Sequence, residues 1–323
     1  MYQRCRPSLT IYVGEGYHRD SSWRATMASR DSSKRRVRKA VIPAAGFGTR
    51  FLPQTKAMPK EMLPIVDKPV IQYVVEECVD SGIQDIIIVT GYHKRSIEDH
   101  FDHNSELEYH LDVTGKKKQL RMVAEIAECA NFVYIRQKGG YGNGTPVLNA
   151  AHLIGDEPFA VLWGDEFIYS KPPRLKQCLE VFEEYGDPVI SGIRIKNKEE
   201  VTRYGIAELE PMKNNVSKLK RIIEKPDPKD APSQIAAHGC YVLTPDIFPL
   251  LADQKPGKGG EMWLVDAIAR LSLQRDILVC EVNNAAYYDT GDKLEYMKTV
   301  VQFGLKHPDV NGPFRKYLKE LNL

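Results

Sequence analysis

The sequence lacks several features that define other classes of protein. It has no apolar run near the ~18 residues of a membrane span, and no apolar segment near its N-terminus that resembles a signal peptide. None of its six cysteines forms a Cys-x-x-Cys pair, which excludes a zinc knuckle and a thioredoxin-type redox centre. Internal repeats and low-complexity tracts are absent as well. We therefore expect a cytoplasmic protein with reduced, buried thiols and no membrane partner.

Neither sign of charge dominates the chain, which contains 45 Lys and Arg against 43 Asp and Glu. The distribution is uneven, because ten basic but only three acidic residues lie within residues 1–39. The rest of the chain is mildly acidic, which argues against a nucleic-acid partner. Residues 1–37 show no helical or strand period, and we predict that they form a basic, disordered N-terminal extension. Met27 offers a second start, and we predict that translation begins there, so that residues 1–26 are a wrongly assigned upstream extension.

The body of the chain alternates short apolar segments with amphipathic ones. The segments predicted as strands are KAVIPAA (39–45), DIIIVTG (85–91), FVYIRQ (132–137) and FAVLWGD (159–165). The apolar residues of 69–82 recur at helical spacing, and the polar stretch 94–130 is also predicted to be helical. This alternation predicts an α/β, Rossmann-like fold whose parallel strands are joined by right-handed crossovers. Later segments predict strands of mixed direction, followed by two closing helices near 291–305 and 312–321.

The segment AAGFGTRFLPQTKAMPKEMLPIVDKP (44–69) carries the clearest chemical signal. Gly46 and Gly48 form a Gly-x-Gly loop, but the third glycine of a dinucleotide-binding motif is missing. Arg50 and Lys60 add full positive charges around the loop amides, an arrangement that suits a triphosphate. Pro53, Pro59 and Pro64 stiffen the loop, which a simple connecting loop would not need.

This segment resembles the opening motif of the sugar-nucleotide pyrophosphorylases, Gly-x-Gly-Thr-Arg-(x)2-Pro-(x)5-Pro-Lys-(x)2-Leu-Pro. The longer string KEMLPIVDKPVIQYVVEE (60–77) is similar to that of bacterial UTP–glucose-1-phosphate uridylyltransferases, and the resemblance continues to about residue 320. It implies a nucleotidyltransferase-type fold, with a mainly parallel mixed sheet flanked by helices, in a single catalytic domain at 38–323. Its implied parts are a nucleotide-binding half (38–185), a sugar-phosphate-binding half (186–290) and C-terminal helices (291–323).

The resemblance also implies a reaction and the residues that perform it. UTP and glucose 1-phosphate would give UDP-glucose and pyrophosphate, with Mg²⁺ as cofactor, in an enzyme that forms dimers or tetramers. The implied catalytic residues are Arg50 at the β- and γ-phosphates, Lys60 near the α-phosphate and Lys225 at the sugar phosphate. The implied nucleotide-binding residues are Ala44, Ala45, Gly46, Gly48, Thr49, Gln137 and Gly142. The implied metal ligands are Asp165 and Asp266, and the implied sugar-binding residues are Glu224 and Gly239.

Several of these assignments make chemical sense. A carboxylate that ends a strand at the carboxyl edge of the sheet, as expected for Asp165, can hold Mg²⁺ against phosphate oxygens. The side-chain amide of Gln137 offers both a donor and an acceptor, as the edge of a uracil base requires. His238 is interpreted as a packing residue rather than a ligand. A phosphate nucleophile with a second pKa near ~6 is already ionised, so catalysis must rest on positioning and charge neutralisation.

Two features depart from the family pattern. Asn143-Gly144-Thr145-Pro146 replaces the more usual Leu-Gly-His-Ala, and Trp163 replaces a small apolar residue ahead of the metal-binding acid. The first departure leaves the choice of nucleotide open. The alternatives are a related pyrophosphorylase that uses dTTP, ATP, GTP or another hexose 1-phosphate, and a non-catalytic paralogue that only binds sugar nucleotides. A dehydrogenase is disfavoured, because no acidic residue ends the strand at 85–89 to hold a ribose.

Overall fold

The computed structural model describes residues 36–321 of the chain. The predicted N-terminal extension lies outside the described residues, apart from its last two, and so does Met27. Within 36–321, no helix is both long enough and apolar enough to cross a membrane.

A mixed β-sheet lies at the centre of the protein. The strands of this sheet and of two small ribbons are, in chain order, β1 (Lys39–Ala44), β2 (Pro64–Ile65), β3 (Lys68–Pro69), β4 (Asp85–Thr90), β5 (Asn131–Arg136), β6 (Phe159–Leu162), β7 (Glu166–Tyr169), β8 (Val189–Arg194), β9 (Gly205–Pro211), β10 (Val216–Glu224), β11 (Ile235–Leu243), β12 (Leu278–Glu281) and β13 (Ala286–Asp289). The central sheet has nine strands in the order β5-β4-β1-β6-β11-β8-β12-β10-β9.

The directions of the strands agree with the sequence pattern. β5, β4, β1 and β6 are parallel neighbours, which confirms the predicted parallel arrangement of the first half. In the second half, β11 runs antiparallel to both β6 and β8, whereas β12 runs parallel to β8. The predicted mixture of directions is therefore confirmed.

Helices pack on the sheet and close the chain. They are α1 (Val70–Asp80), α2 (Arg95–His100), α3 (Ser105–Val113), α4 (Lys117–Glu128), α5 (Gly144–Asn149), α6 (Ala151–Ile154), α7 (Arg174–Tyr185), α8 (Ile247–Ala252), α9 (Leu264–Leu271), α10 (Lys293–Gly304) and α11 (Asn311–Glu320). α1, α10 and α11 confirm the helices predicted at 69–82 and at the end of the chain. The polar stretch 94–130 folds as three short helices, α2 to α4.

The central strands are buried on both faces of the sheet. In β4, Ile86 and Ile88 belong to one hydrophobic core together with residues of α1 and α7. Ile87 and Val89 belong to a second core together with residues of α9. Because successive side chains of a strand point to opposite faces, an uninterrupted β-branched run is what burial on both faces requires.

The carboxyl edge of the parallel strands is where the chain places its polar loops. β1 ends at Ala44 and leads into the glycine loop, and β6 ends at Leu162, three residues before Asp165. The ribbon of β7 and β13 returns a distant part of the chain to this edge, because Asp289 pairs with Glu166 across it. Loops from several parts of the sequence therefore meet at the edge where open α/β sheets bind ligands.

Candidate active site

The loop after β1 folds back on the side chain of Lys60. Gly48 has a φ of +67°, a left-handed conformation that glycine adopts without strain. Its carbonyl oxygen accepts a hydrogen bond of 2.6 Å from Thr55 Oγ1. A Cβ on Gly46 would lie 3.4 Å from Lys60 Nζ, so the ammonium group lies directly against the loop backbone. A cavity of about 300 Å³ opens beside this loop, and its lining includes Ala45, Gly46, Thr49, Lys56 and Lys94.

Lys60 forms an ion pair with Asp165, and the two charges stabilise each other. Burial lowers the pKa of Lys60, but the charges of Asp165 and Glu61 raise it more, so that the pKa lies above its ordinary value. Burial likewise raises the pKa of Asp165, but the charge and hydrogen bond of Lys60 lower it more. Both groups are therefore charged at neutral pH. Their side chains are 24% and 28% exposed, so a ligand can reach them.

Gly291 lies where Arg50 and two carboxylates meet. A Cβ on Gly291 would lie 3.1 Å from Arg50 Nη1, 3.2 Å from Asp289 Oδ1 and 3.9 Å from Asp165 Oδ2. Arg50 Nη1 donates to the carbonyl oxygen of Gly291 at 3.4 Å, and the N–H of Gly291 donates to Asp289 Oδ1 at 3.0 Å. The structure thus brings together the predicted residues Arg50, Lys60 and Asp165, and it adds Asp289.

Asp289 was not predicted from the sequence. Burial raises its pKa, and the charge of Glu166 adds to this, whereas the hydrogen bond from Gly291 opposes it. Arg203 donates to the other carboxylate oxygen of Asp289 at 3.4 Å. The signal that could have identified it is the string Asp289-Thr290-Gly291, which begins at the last residue of the short aromatic strand β13, much as Asp165 follows an apolar strand.

Asp266 lies elsewhere. It is exposed in the first turn of α9, where an acidic side chain suits the helix dipole, and its Oδ2 lies 3.0 Å from the position of a Cβ on Gly257. Within 36–321, no hydrogen bond or ion pair joins Asp266 to Asp165 or Arg50. Asp289, and not Asp266, is the carboxylate that the structure places beside Asp165.

The loop that carries Gly142 packs tightly against the segment before α9. Gly142 has a φ of +122°, and a Cβ there would lie 2.2 Å from the carbonyl oxygen of Met262, so only glycine fits. The N–H of Gly144 donates to that same carbonyl oxygen at 2.8 Å. Asn143 Oδ1 accepts a hydrogen bond of 2.8 Å from the N–H of Leu264. The unusual Asn143 therefore ties this loop to the start of α9.

Gln137 begins the same loop, at the end of β5. Its Nε2 donates to the carbonyl oxygen of Gly140 at 3.3 Å. The aromatic rings of Tyr141 in this loop and Phe47 in the glycine loop are 5.5 Å apart between centroids. The two predicted nucleotide-binding loops are therefore in contact.

The segment predicted to bind the sugar phosphate is connected to Asp289 through two adjacent residues, Arg203 and Tyr204. Glu224 ends β10, and Lys225 follows it with a φ of +49°. The N–H of Lys225 donates to the carbonyl oxygen of Tyr204 at 3.0 Å, and Arg203, next in the chain, contacts Asp289. Lys225 and Asp289 therefore contact adjacent residues of the chain, Tyr204 and Arg203 respectively.

Gly239 lies against Glu166. It has a φ of +36°, and a Cβ there would lie 1.6 Å from Glu166 Oε1, so a side chain would collide with this carboxylate. Its carbonyl oxygen accepts a hydrogen bond of 3.1 Å from the N–H of Trp163. The indole of Trp163 packs edge-on against Tyr241 at 5.5 Å, which gives this unusual residue a packing role.

Residues 39–303 match the family described as nucleotidyl transferase, which is well over half of the chain. The chain belongs to the nucleotidyl transferase family. It is 47% identical over 288 residues to UTP–glucose-1-phosphate uridylyltransferase YngB of Bacillus subtilis, over 89% of this chain and 96% of that protein. It is also 47% identical over 289 residues to UTP–glucose-1-phosphate uridylyltransferase 2 of Staphylococcus saprophyticus, over 90% of this chain and 99% of that protein.

Solved structures confirm the resemblance. A crystal structure of UDP-glucose pyrophosphorylase complexed with UDP-glucose superposes with a TM-score of 0.77 at 39% identity, covering 84% of this chain and 100% of that one. UTP-bound UGPase from Acinetobacter baumannii superposes with a TM-score of 0.80 at 35% identity, covering 88% and 100% respectively. The predicted family and fold are thereby confirmed.

In this nucleotidyl transferase, the protein itself offers few ligands to a metal. Between residues 36 and 321, no cluster of three or more His, Cys, Asp or Glu side chains is arranged to hold a metal ion. Asp165 and Asp289 supply two carboxylates that face one space. Two carboxylates, with the other positions left to phosphate oxygens and water, are a donor set that Mg²⁺ accepts at nucleotide sites.

Proposed function

We propose that this protein transfers the uridylyl group of UTP to α-D-glucose 1-phosphate, giving UDP-glucose and pyrophosphate. The observation that carries the proposal is the meeting of Arg50, Asp165 and Asp289 around Gly291, with Lys60 paired to Asp165 beside a glycine loop suited to a triphosphate. The names of relatives that match about nine-tenths of the chain support this pair of substrates.

The mechanism follows from the charges at the site. A phosphate oxygen of glucose 1-phosphate forms a bond to the α-phosphorus of UTP, and the bond from that phosphorus to the pyrophosphate breaks. Arg50 neutralises the charge on the leaving pyrophosphate, Lys60 binds the α-phosphate, and Lys225 holds the sugar phosphate in line for attack. A protein base is not required, because the nucleophile is ionised at neutral pH. The residues therefore act by positioning and by offsetting charge.

Mg²⁺ fits the two carboxylates of Asp165 and Asp289, which would hold it against the phosphates. When bound, it neutralises phosphate charge and orients the transferring oxygens. Lys60 keeps Asp165 ionised by lowering its pKa against the effect of burial. Arg203 donates to Asp289 Oδ2 at 3.4 Å and orients that carboxylate, although burial still raises the pKa of Asp289.

Pyrophosphate release by the purified protein tests the proposal. The assay contains glucose 1-phosphate, Mg²⁺ and one of UTP, dTTP, ATP, GTP or CTP, with and without EDTA. Release with UTP well above the others, abolished by EDTA, is expected, and it agrees with Gln137 as the reader of the base. Release with another nucleotide would identify a related pyrophosphorylase whose selectivity is set by residues 143–146. No release with any nucleotide would contradict the proposal and favour a binding paralogue.

We also propose that the protein works in the cytoplasm as a dimer or tetramer. Of the five free cysteines within 36–321, four are buried, as suits a reducing compartment. Sedimentation equilibrium is expected to give two or four times the chain mass of 36.6 kDa. A monomer at micromolar concentration would contradict the proposed assembly.

A further inference from the structure

His238 on β11 has one ring nitrogen bound and the other without a partner. Nδ1 lies 3.0 Å from Glu166 Oε1, and the side chain is only 8% exposed. Nε2 is fully buried and has no hydrogen-bond partner in the part of the chain that the structure describes. A buried polar atom is rarely left in this state, because it has lost its hydrogen bonds to water without replacement. Nε2 is therefore a position where a ligand atom is expected.

The ring of His238 lies among residues of the sugar side of the site. Its centroid is 4.0 Å from the ring of Tyr287 and 5.4 Å from that of Tyr204. Tyr204 accepts the hydrogen bond from the N–H of Lys225, and Tyr287 lies two residues before Asp289. The imidazole ring thus packs against Tyr204 and Tyr287, which belong to the segments between which the proposed function places the sugar phosphate.

Resting on that proposed function, we propose that His238 is a specificity residue that recognises the sugar ring. In the tautomer with the proton on Nδ1, the carboxylate of Glu166 accepts the hydrogen bond from Nδ1–H, and Nε2 carries a lone pair. A lone pair accepts a hydrogen bond from a hydroxyl group but repels a phosphate oxygen. The atom that reaches Nε2 is therefore a hydroxyl of the hexose. Glu166 is a positioning residue, and its other oxygen accepts a hydrogen bond of 3.4 Å from the hydroxyl of Tyr287.

A chemical double-mutant cycle tests this inference. The values of kcat/KM with UTP are measured for glucose 1-phosphate and its 2-, 3-, 4- and 6-deoxy analogues, in the wild type and in His238→Phe, which keeps the ring packing. In the wild type, one analogue is expected to lose about 10- to 100-fold in kcat/KM, because it leaves Nε2 unpaired. In His238→Phe, removal of that same hydroxyl is expected to matter less than about 3-fold, since its partner is already gone. The KM for UTP is expected to remain unchanged.

A second variant and the wild-type control keep the outcomes distinct. His238→Gln retains a hydrogen-bonding side chain of similar reach, and it is expected to restore part of the discrimination against the same analogue. If every analogue loses the same factor in the wild type and in whichever variant folds, His238 does not contact the sugar and the inference is overturned. If the wild type fails to turn over UTP with glucose 1-phosphate itself, the proposed function fails and the inference falls with it.

Discussion

Lys94 and Glu61 form a buried ion pair beside Lys60. Lys94 Nζ lies 2.6 Å from Glu61 Oε2, and the two side chains are 7% and 1% exposed. Glu61 belongs to the 3₁₀ turn Lys60–Met62, so the pair anchors the backbone from which the Lys60 side chain leaves. Burial raises the pKa of Glu61, and the charges of Lys94 and Lys60 oppose that rise.

Removing the cation of this pair is expected to destabilise the protein. In Lys94→Met the buried carboxylate loses its partner, which typically lowers the free energy of unfolding by about 3–5 kcal/mol. Urea denaturation measures the change. Lys316→Met is the matched control, because the ion pair of Lys316 with Glu320 is exposed and contributes about 1 kcal/mol or less. Equal decreases in the free energy of unfolding in the two variants would show that burial of the Lys94–Glu61 pair does not increase its contribution to stability.

Gly142→Ala is expected to disrupt the loop that is predicted to bind the base. The new Cβ would collide with the backbone of Met262 at a positive φ, a strain of about 1–3 kcal/mol or more, so the KM for UTP should rise about tenfold or more. Gly140→Ala is the control, because no atom lies within 4 Å of a Cβ there and its φ is not positive. Steady-state kinetics of both variants provide the measurement. Similar KM values would mean that the Gly142 contact does not shape the nucleotide site.

The positions of Asp289 and Asp266 predict different effects on metal affinity when either residue loses its charge. Asp289→Asn is expected to weaken binding of Mn²⁺, used as a probe for Mg²⁺, by about tenfold or more, because one of two protein ligands is lost. Asp266→Asn removes the same charge from the first turn of α9 and is expected to leave that affinity unchanged. Calorimetric titration in the presence of a nucleoside triphosphate measures both. The reverse order would restore Asp266 as the metal ligand.

Substitution of Arg50 and substitution of Lys225 are expected to change different kinetic parameters. Arg50→Ala should mainly lower kcat, because it removes charge stabilisation from the leaving pyrophosphate. Lys225→Ala should mainly raise the KM for glucose 1-phosphate, because it removes the anchor of that substrate. Each loss is expected to be on the order of 2–4 kcal/mol of transition-state stabilisation. Wild-type kinetics in both variants would refute the assignment of roles.

His100 makes the stability of the protein depend on pH. Burial lowers its pKa, against a smaller opposing effect of Glu76, and its Nε2 lies 2.9 Å from Gln72 Oε1. The folded pKa of His100 is below its unfolded value of about 6.5. The free energy of unfolding is therefore at its full value above about pH 6.5, and it decreases as the pH falls from there through the lower folded pKa. The Tm of the wild type should therefore fall more steeply between about pH 7.5 and 5.5 than that of His100→Gln. His110→Gln, at an exposed position, should follow the wild type.

Local signals in the sequence predicted the parallel strands and the glycine loop. The uninterrupted β-branched run of β4 indicates a strand that is buried on both faces. Arg50 and Lys60 lie in one contiguous motif, so their chemistry can be predicted without knowledge of the fold. The string Asp289-Thr290-Gly291 marks an acidic residue at the end of a strand, but it does not reveal which residue lies beside it. Asp165 is far away in the sequence, and only the pairing of β13 with β7 brings the two together. Asp266 was a plausible substitute because an acidic residue at the start of a helix looks the same whether it binds a metal or stabilises the helix.

The pairing of β13 with β7 also forms late in the synthesis of the chain. β12 ends at Glu281, so all nine strands of the central sheet are already synthesised before Ala286 begins β13. A chain released from the ribosome in that interval contains the glycine loop, Lys60 and Asp165, yet it lacks the second carboxylate. Under the proposed function such a product would not turn over its substrates, because the proposed Mg²⁺ site needs both carboxylates. The proposed activity therefore depends on a segment that is synthesised after the whole central sheet.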